Sequence, residues 1–169
     1  NQEKFETNQL SKKEQILLKS VRRLNNIFYK EYSVLLRCKK RKIVFGNSLA
    51  SDAWTDGVSY IALNFKFIEL SEYGTKFFDY ILKLIIHEYC HNEFTISVHP
   101  HNEEFYKLYH DITIKGGFKE LKDNLVLNIS NLPKRAAIVY HNELERNDIK
   151  APKKLKEELS NIQESIEND

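Results

Sequence analysis

The chain has 169 residues, of which 41% are hydrophobic, 12% aromatic and 30% charged. This is enough apolar material for one compact globular domain and too much for a chain that is disordered throughout. Two Cys exclude a disulfide-rich scaffold, and no stretch approaches the roughly 18 apolar residues of a membrane helix. The net charge of +2 is too small to predict a protein held on nucleic acid by phosphate contacts.

The sequence contains no Met, so we expect a domain of a longer parent chain or a processed protein. Its first residues lack the apolar core of a signal peptide. Nothing in the cysteine content requires an oxidising compartment, which favours a cytoplasmic location.

The N-terminal part predicts a flexible segment followed by a helix. Residues 1–10 are polar, which is typical of a frayed end. Ser11 and Glu14 have the spacing of a capping box, and the helix after them should run to about Tyr32. Its apolar residues recur at spacings of 4, 3 and 4, which is the pattern of an amphipathic helix: Leu17, Val21, Leu24 and Phe28.

Five basic residues then stand almost side by side: Arg37, Lys39, Lys40, Arg41 and Lys42. Such a run is typical of a solvated turn leading into a strand, and the alternative is a patch that binds nucleic acid. A thiol beside so many cations is a candidate for a lowered pKa, so we expect this of Cys38.

A small set of strands should come next. Residues 43–45 read as a short strand, and residues 46–48 read as a turn. Residues 53–63 contain two β-favouring arms around Asp56-Gly57, which is a strong hairpin signal.

Two helices should follow, separated by a loop over residues 95–100. The first, residues 72–91, has almost no polar face and should be largely buried. The second, residues 102–115, has an apolar stripe and should end at Gly116-Gly117.

The C-terminal third is less clear. Residues 125–127 and 136–140 are apolar but ambiguous between strand and helix. Residues 151–169 predict an amphipathic helix opened by Pro152, which either docks on the domain or binds a partner or a second copy. We therefore expect a main domain over residues 11–150, followed by this helix.

The informative motif is His87-Glu88-x-x-His91, which lies at the end of the first of these two helices. Composition alone predicts about 0.02 such strings in a chain of this length. One helical turn separates the two His, so both imidazoles can hold one metal ion, while Glu88 reaches a water on that ion. Zinc is the natural occupant, because it takes neutral imidazoles and tolerates an open fourth position.

A catalytic zinc site needs a third protein ligand. His101 is the leading candidate, because the apolar stripe of the helix that it opens would turn it towards the first helix. Glu104 and His99 are the alternatives, although Glu104 also suits the first turn of a helix electrostatically.

His87-Glu88-x-x-His91 followed by His101-x-x-x-Phe105 resembles the zincin metallopeptidases, and most of all the small intracellular SprT-like and YgjP-like group. The resemblance covers about residues 43–115. It implies a fold of the α+β class, a minimal zincin fold. A small sheet or hairpin would pack on a buried motif helix, a second helix would carry the third ligand, and further helices would flank them.

The resemblance also implies the activity. One zinc ion per chain would be held by His87, His91 and His101, and Glu88 would act as the general base that activates water to cleave a peptide bond. The expected partner is a protein or peptide substrate. Candidate donors to the oxyanion, by residue type only, are Tyr106, Tyr109, His110 and His141.

An extended substrate would pair with the edge strand that precedes the motif helix. Trp54 and Thr55 could line such a groove, although Trp54 more often packs in a core. Asp56 should be a turn residue rather than a partner of a ligand His, and Cys90 should be a small buried hydrophobe. The alternatives to a peptidase are a binding or regulatory module with a structural or latent zinc site, and a DNA-associated SprT-like protease that would use residues 37–42.

Overall fold

A computed structural model of the chain describes residues 2–66, 74–93, 101–114 and 117–146. The described part is a mixed α+β fold. Its strands are β1 (Gln2–Lys4), β2 (Lys42–Ser48), β3 (Ala53–Thr55) and β4 (Tyr60–Asn64). Its helices are α1 (Lys12–Leu36), α2 (Thr75–Tyr89), α3 (Glu103–Thr113), α4 (Phe118–Ser130) and α5 (Leu132–Arg146).

The four strands form one sheet in the order β1-β2-β4-β3. The two central strands, β2 and β4, are parallel, with Ile43 opposite Ile61 and Phe45 opposite Leu63. Each outer strand is antiparallel to its neighbour. Among the described residues, β3 therefore forms one edge of the sheet and β1 forms the other.

The N-terminal residues do not follow the prediction of a frayed end. Gln2–Lys4 pair with Gly46, Asn47 and Ser48 of β2, and Leu10 is buried in the core. The side chains of β1 are exposed, so its sequence carries no hydrophobic signal. Main-chain pairing with a strand some forty positions away holds this segment.

The prediction of a turn at residues 46–48 is wrong. These residues continue β2 as far as Ser48, because β1 pairs with them on one side and Gly46 pairs with Asn64 on the other. Gly46 is needed for packing as well. A Cβ at this position would lie 2.2 Å from the carbonyl oxygen of Glu3 and 3.0 Å from the Trp54 ring.

The predicted hairpin is confirmed as the β3–β4 pair, with Trp54 opposite Ala62. Asp56 is a turn residue, as expected. Its Oδ1 accepts hydrogen bonds from the backbone N–H groups of Val58, Ser59 and Tyr60 at 2.9, 2.7 and 3.3 Å. Partial burial alone would raise the pKa of Asp56, but these bonds and one from the Ser59 hydroxyl lower it to about 2.

Helix α1 begins as predicted, with a capping box between Ser11 and Glu14. It runs four residues past the expected end and stops at Leu36, where Arg37 adopts a left-handed conformation with φ of 53°. Its apolar stripe packs in the same core as the sheet and α2. The stripe is buried at Leu17, Val21, Leu24 and Phe28, as the spacing predicts.

The ambiguous apolar runs after residue 117 are helical, as α4 and α5. Their buried residues join the core that α1 and α2 share, at Leu125, Val126 and Ile129. The predicted helix over residues 151–169 and the loop over residues 95–100 lie outside the described residues. In the described ranges, no helix is long and apolar enough to cross a membrane.

Candidate metal centre

The motif lies at the C-terminal end of α2, and the helix ends inside it. Thr75–Tyr89 are helical, Cys90 is the C-cap, and His91 lies just beyond. The N–H of His91 bonds to the carbonyl oxygen of Glu88 at 3.2 Å, which is the tighter spacing of a 3-10 turn. The one-turn geometry predicted from the sequence therefore holds in outline, but His91 follows the helix instead of belonging to it. The predicted start of this helix near Glu72 lies outside the described residues.

His101 lies immediately before α3. The N-cap of α3 is Asn102, whose side chain accepts a hydrogen bond from the N–H of Phe105 at 2.9 Å. The cap fixes the direction from which the chain enters the helix, and so places His101 against α2. Glu103 and Glu104 occupy the first turn and are exposed, where acidic residues stabilise the helix dipole.

The three predicted histidines come together. Their ring nitrogens all lie within 4.8 Å of one another, and the Nε2 atoms of His87 and His101 are 3.1 Å apart. Two imidazole nitrogens on one tetrahedral zinc ion would be about 3.4 Å apart, given bonds of about 2.0–2.1 Å. The three residues are therefore close enough together to hold one metal ion. Glu104 is not part of this group, and His99 lies outside the described residues.

Burial and charge favour the neutral form of the His87 imidazole, which is the form that binds metal. Burial and the neighbouring His101 lower the pKa of His87. His91 is buried, with 7% of its surface exposed, His87 is half-buried, and His101 is exposed. The site is therefore closed on the side of the helices and open on the side of His101.

The ring of Phe105 packs against all three histidines. Its ring centroid is 4.8 Å from those of His87 and His91, and 4.7 Å from that of His101. The residue is 3% exposed. One buried aromatic ring thus supports all three imidazoles. The sequence places Phe105 on the apolar stripe of α3, but it does not show that the ring contacts the histidines.

Glu88 is a buried carboxyl, with 6% of its surface exposed, and no described residue donates a hydrogen bond to its carboxylate. Burial raises its pKa to about 7, although the positive charge of Arg41 opposes this shift. A buried carboxyl without a hydrogen-bond donor among the described residues is costly for stability. Such a carboxyl can accept a hydrogen bond from a water molecule or a substrate that reaches it.

Arg41 was not predicted as part of this site. It is 1% exposed, which corrects the expectation that the whole basic run is solvated; the other four residues are exposed. Its guanidinium donates hydrogen bonds to the carbonyl oxygens of Glu88, His91 and Gly57 at 2.6, 2.7 and 2.8 Å. The sequence gives no sign of this, because these three acceptors are main-chain oxygens.

The hairpin turn also touches the chain after the motif. Gly57 has φ of +80°, and a Cβ there would lie 2.5 Å from the carbonyl carbon of Asn92 and 2.5 Å from the nitrogen of Glu93. Only glycine allows both the conformation and the close approach. The turn between β3 and β4 therefore packs directly against the residues that follow His91.

Trp54 and Thr55 do not line an open groove. Trp54 is 7% exposed and lies over Gly46, which confirms its packing role. Thr55 is also buried, and its hydroxyl donates to the carbonyl oxygen of Tyr60 at 2.5 Å. Of the four candidate oxyanion donors, Tyr106 has its ring 6.2 Å from that of His101, and Tyr109 stacks on Phe105 at 6.3 Å.

Burial raises the pKa of both cysteine thiols, which favours their protonated and less reactive form. Burial raises the pKa of Cys90 to about 12, so its thiol stays protonated and behaves as the small hydrophobe expected. Burial also raises the pKa of Cys38 and outweighs Arg41, so the prediction of a lowered pKa is wrong.

Comparisons with protein-family models, with curated proteins and with solved structures gave no significant match. The resemblance to the zincins therefore remains one of sequence motif.

Proposed function

We propose that this chain is a zinc-dependent peptidase domain of the minimal zincin type. The observation that carries the proposal is the convergence of His87, His91 and His101, with the buried Glu88 next to His87 in the chain. Three histidines leave a fourth position on a tetrahedral zinc ion, as catalytic sites do. Glu88 is not one of the three residues in this group, but a carboxyl in the motif suits the role of a base.

In the proposed reaction, the metal and the side chains of this protein have separate roles. A zinc ion at the three histidines would supply Lewis acidity, which activates water as a nucleophile and polarises a carbonyl. Glu88 takes the proton of the attacking water and later delivers it to the leaving amine.

The proposed substrate is an extended segment of a protein or peptide. Support comes from β3, the edge strand of the sheet, which is joined to β4 by the turn that packs against the end of the motif. An edge strand offers main-chain donors and acceptors, which bind an extended peptide with little dependence on its sequence. Trp54 and Thr55 support the backbone of this strand from within.

The DNA-associated alternative is weakened by Arg41. With Arg41 buried and bonded to carbonyl oxygens, only four cations of the run can meet a phosphate backbone. The binding-module alternative differs from the peptidase in one respect, which is the role of Glu88. A structural zinc site has no use for this carboxyl.

Metal content and hydrolysis decide between these functions. Elemental mass spectrometry on the purified chain should find about one zinc ion per chain, and a library of unstructured peptides should be cleaved. Glu88→Gln should keep the zinc and lower kcat/KM by about 10²–10⁴-fold. Cleavage by this variant at the wild-type rate would refute the mechanism. Zinc binding without any cleavage would favour the binding module.

A further inference from the structure

The second histidine of the motif needs a support that the helix does not give. His91 follows the C-cap of α2, and its N–H reaches the carbonyl oxygen of Glu88 instead of that of His87. The regular helical hydrogen bond that would fix the spacing of His87 and His91 is therefore replaced. Something else must hold the main chain at His91 if its imidazole is to face the other two.

Arg41 supplies that support from another part of the fold. One nitrogen of its guanidinium, Nη1, donates to the carbonyl oxygen of Glu88, and the other, Nη2, donates to those of His91 and Gly57. The first two oxygens lie at the C-terminal end of α2, where the helix dipole concentrates negative charge. A planar guanidinium can bridge three oxygens at once, which a lysine ammonium on a flexible chain does less well.

Arg41 is itself held in place by two helices. The side-chain amide of Asn25, on α1, donates to the carbonyl oxygen of Arg41 at 3.0 Å. The hydroxyl of Tyr89 accepts from the N–H of Arg41 at 3.2 Å and donates to Asn25 at 2.8 Å. All three residues are buried. The main chain of Arg41 is therefore held in place by α1 and α2. The hydrogen bonds of its guanidinium then hold the main chain of the motif relative to it.

We propose that Arg41 is the positioning residue of the three-histidine site: it fixes the main chain at His91 so that this imidazole joins those of His87 and His101. The inference rests on the proposed metal site, but not on peptide hydrolysis. Arg41 does not contact the metal or the substrate in this scheme. It sets the affinity and the geometry of the metal site through the backbone.

The test measures zinc affinity in the full-length chain with Arg41→Lys, by competition with a chromophoric chelator. The metal-free variant is first shown to be folded by circular dichroism. Its zinc dissociation constant should rise at least tenfold. The visible spectrum of the Co²⁺-loaded protein should also change, because it reports the arrangement of the ligands.

A destabilised control separates positioning from stability. Leu10 is buried before the first turn of α1, about 20 Å along the helix from Asn25. Leu10→Ala should lower the midpoint of urea unfolding and leave the zinc dissociation constant within twofold of wild type. If Leu10→Ala weakens zinc binding as much as Arg41→Lys does, the effect is one of stability and the inference is wrong.

Tyr89→Phe keeps the inference testable if Arg41→Lys does not fold. It removes the hydroxyl that links Arg41 to Asn25 and keeps the ring, so the dissociation constant should rise about three- to tenfold. An unchanged constant in a folded variant would overturn the inference while leaving the metal site intact. Failure of the wild-type chain to bind zinc at all would remove the site, and the inference with it.

Discussion

The Nε2 atoms of His87 and His101 lie 3.1 Å apart, although 14 positions separate the two residues in the chain. His87 is on α2 and His101 precedes the N-cap of α3. Their proximity is therefore a product of packing between two elements. Since His101 is exposed, it is the proposed ligand whose removal should disturb metal binding without disturbing the fold.

We expect His101→Ala to weaken zinc binding by more than about 100-fold, because one of three ligands is lost. The metal-free protein should keep its free energy of unfolding within about 0.5 kcal/mol, since exposed side chains contribute little. Stability in excess zinc should fall, because metal that binds only the folded chain stabilises it. Isothermal titration and urea melts measure the two effects.

His110→Ala is the matched control, since His110 is an exposed histidine in the last turn of α3. It should change neither zinc affinity nor stability. Full zinc retention in His101→Ala would exclude His101 as the third ligand and return the role to Glu104 or His99.

Phe105→Ala should damage the fold and the metal site together. Removing a buried phenylalanine costs about 3–5 kcal/mol of unfolding free energy. Because the ring contacts all three imidazoles, zinc affinity should also fall by at least tenfold. Both quantities are measured on the same protein, by urea unfolding without metal and by chelator competition.

Ile112→Ala is the comparison on the same helix. Ile112 is fully buried, so its truncation should cost about 2–5 kcal/mol. Ile112 lies about two turns along α3 from Phe105, so zinc affinity should stay within about twofold. Equal losses of affinity in the two variants would show that Phe105 acts on the metal through stability alone.

Gly57→Ala should be strongly destabilising for two reasons that add. The left-handed conformation costs a non-glycine residue about 1–2 kcal/mol, and overlap with the main chain at Asn92 and Glu93 adds about 1–3 kcal/mol. Gly117→Ala is the control. Its φ is +91°, but a Cβ there meets nothing within 4 Å, so only the first cost applies. Thermal or urea unfolding of both variants measures the difference, and equal losses would contradict the close contact.

We expect the chain to lose part of its free energy of unfolding in acid because of Asp56. Its pKa is about 2 in the folded chain and about 3.9 when unfolded, so its ionised form favours folding. This contribution is fully present above about pH 4 and disappears as the pH falls through about 2. Urea melts at pH 7, 4 and 2.5 should show Asp56→Asn less stable than wild type at pH 7, with the difference shrinking at pH 2.5. A constant difference would show that the hairpin does not depend on the carboxylate.

The features that the sequence determined are those encoded by residues close together in the chain. The capping box of Ser11 and Glu14, the apolar stripe of α1, the Asp56-Gly57 turn and the placement of His87 and His91 all follow from spacings of four residues or fewer. Local hydrogen bonds and helical periodicity settle such features with little help from the rest of the fold. The strands and helices predicted from such patterns also agree with the mixed α+β fold, a class that the zincin resemblance implied.

The tertiary structure decided what depends on partners far along the chain. The pairing of β1 with β2 turned a polar N-terminus and a predicted turn into strands. Arg41 is buried, unlike the rest of the basic run, because its guanidinium bonds to the main-chain oxygens of Glu88, His91 and Gly57. Nearly every residue carries the same main-chain donor and acceptor. The sequence therefore does not show which main-chain group a distant side chain will bond to. The helix motif could therefore be read from the sequence, but the support that holds its second histidine could not.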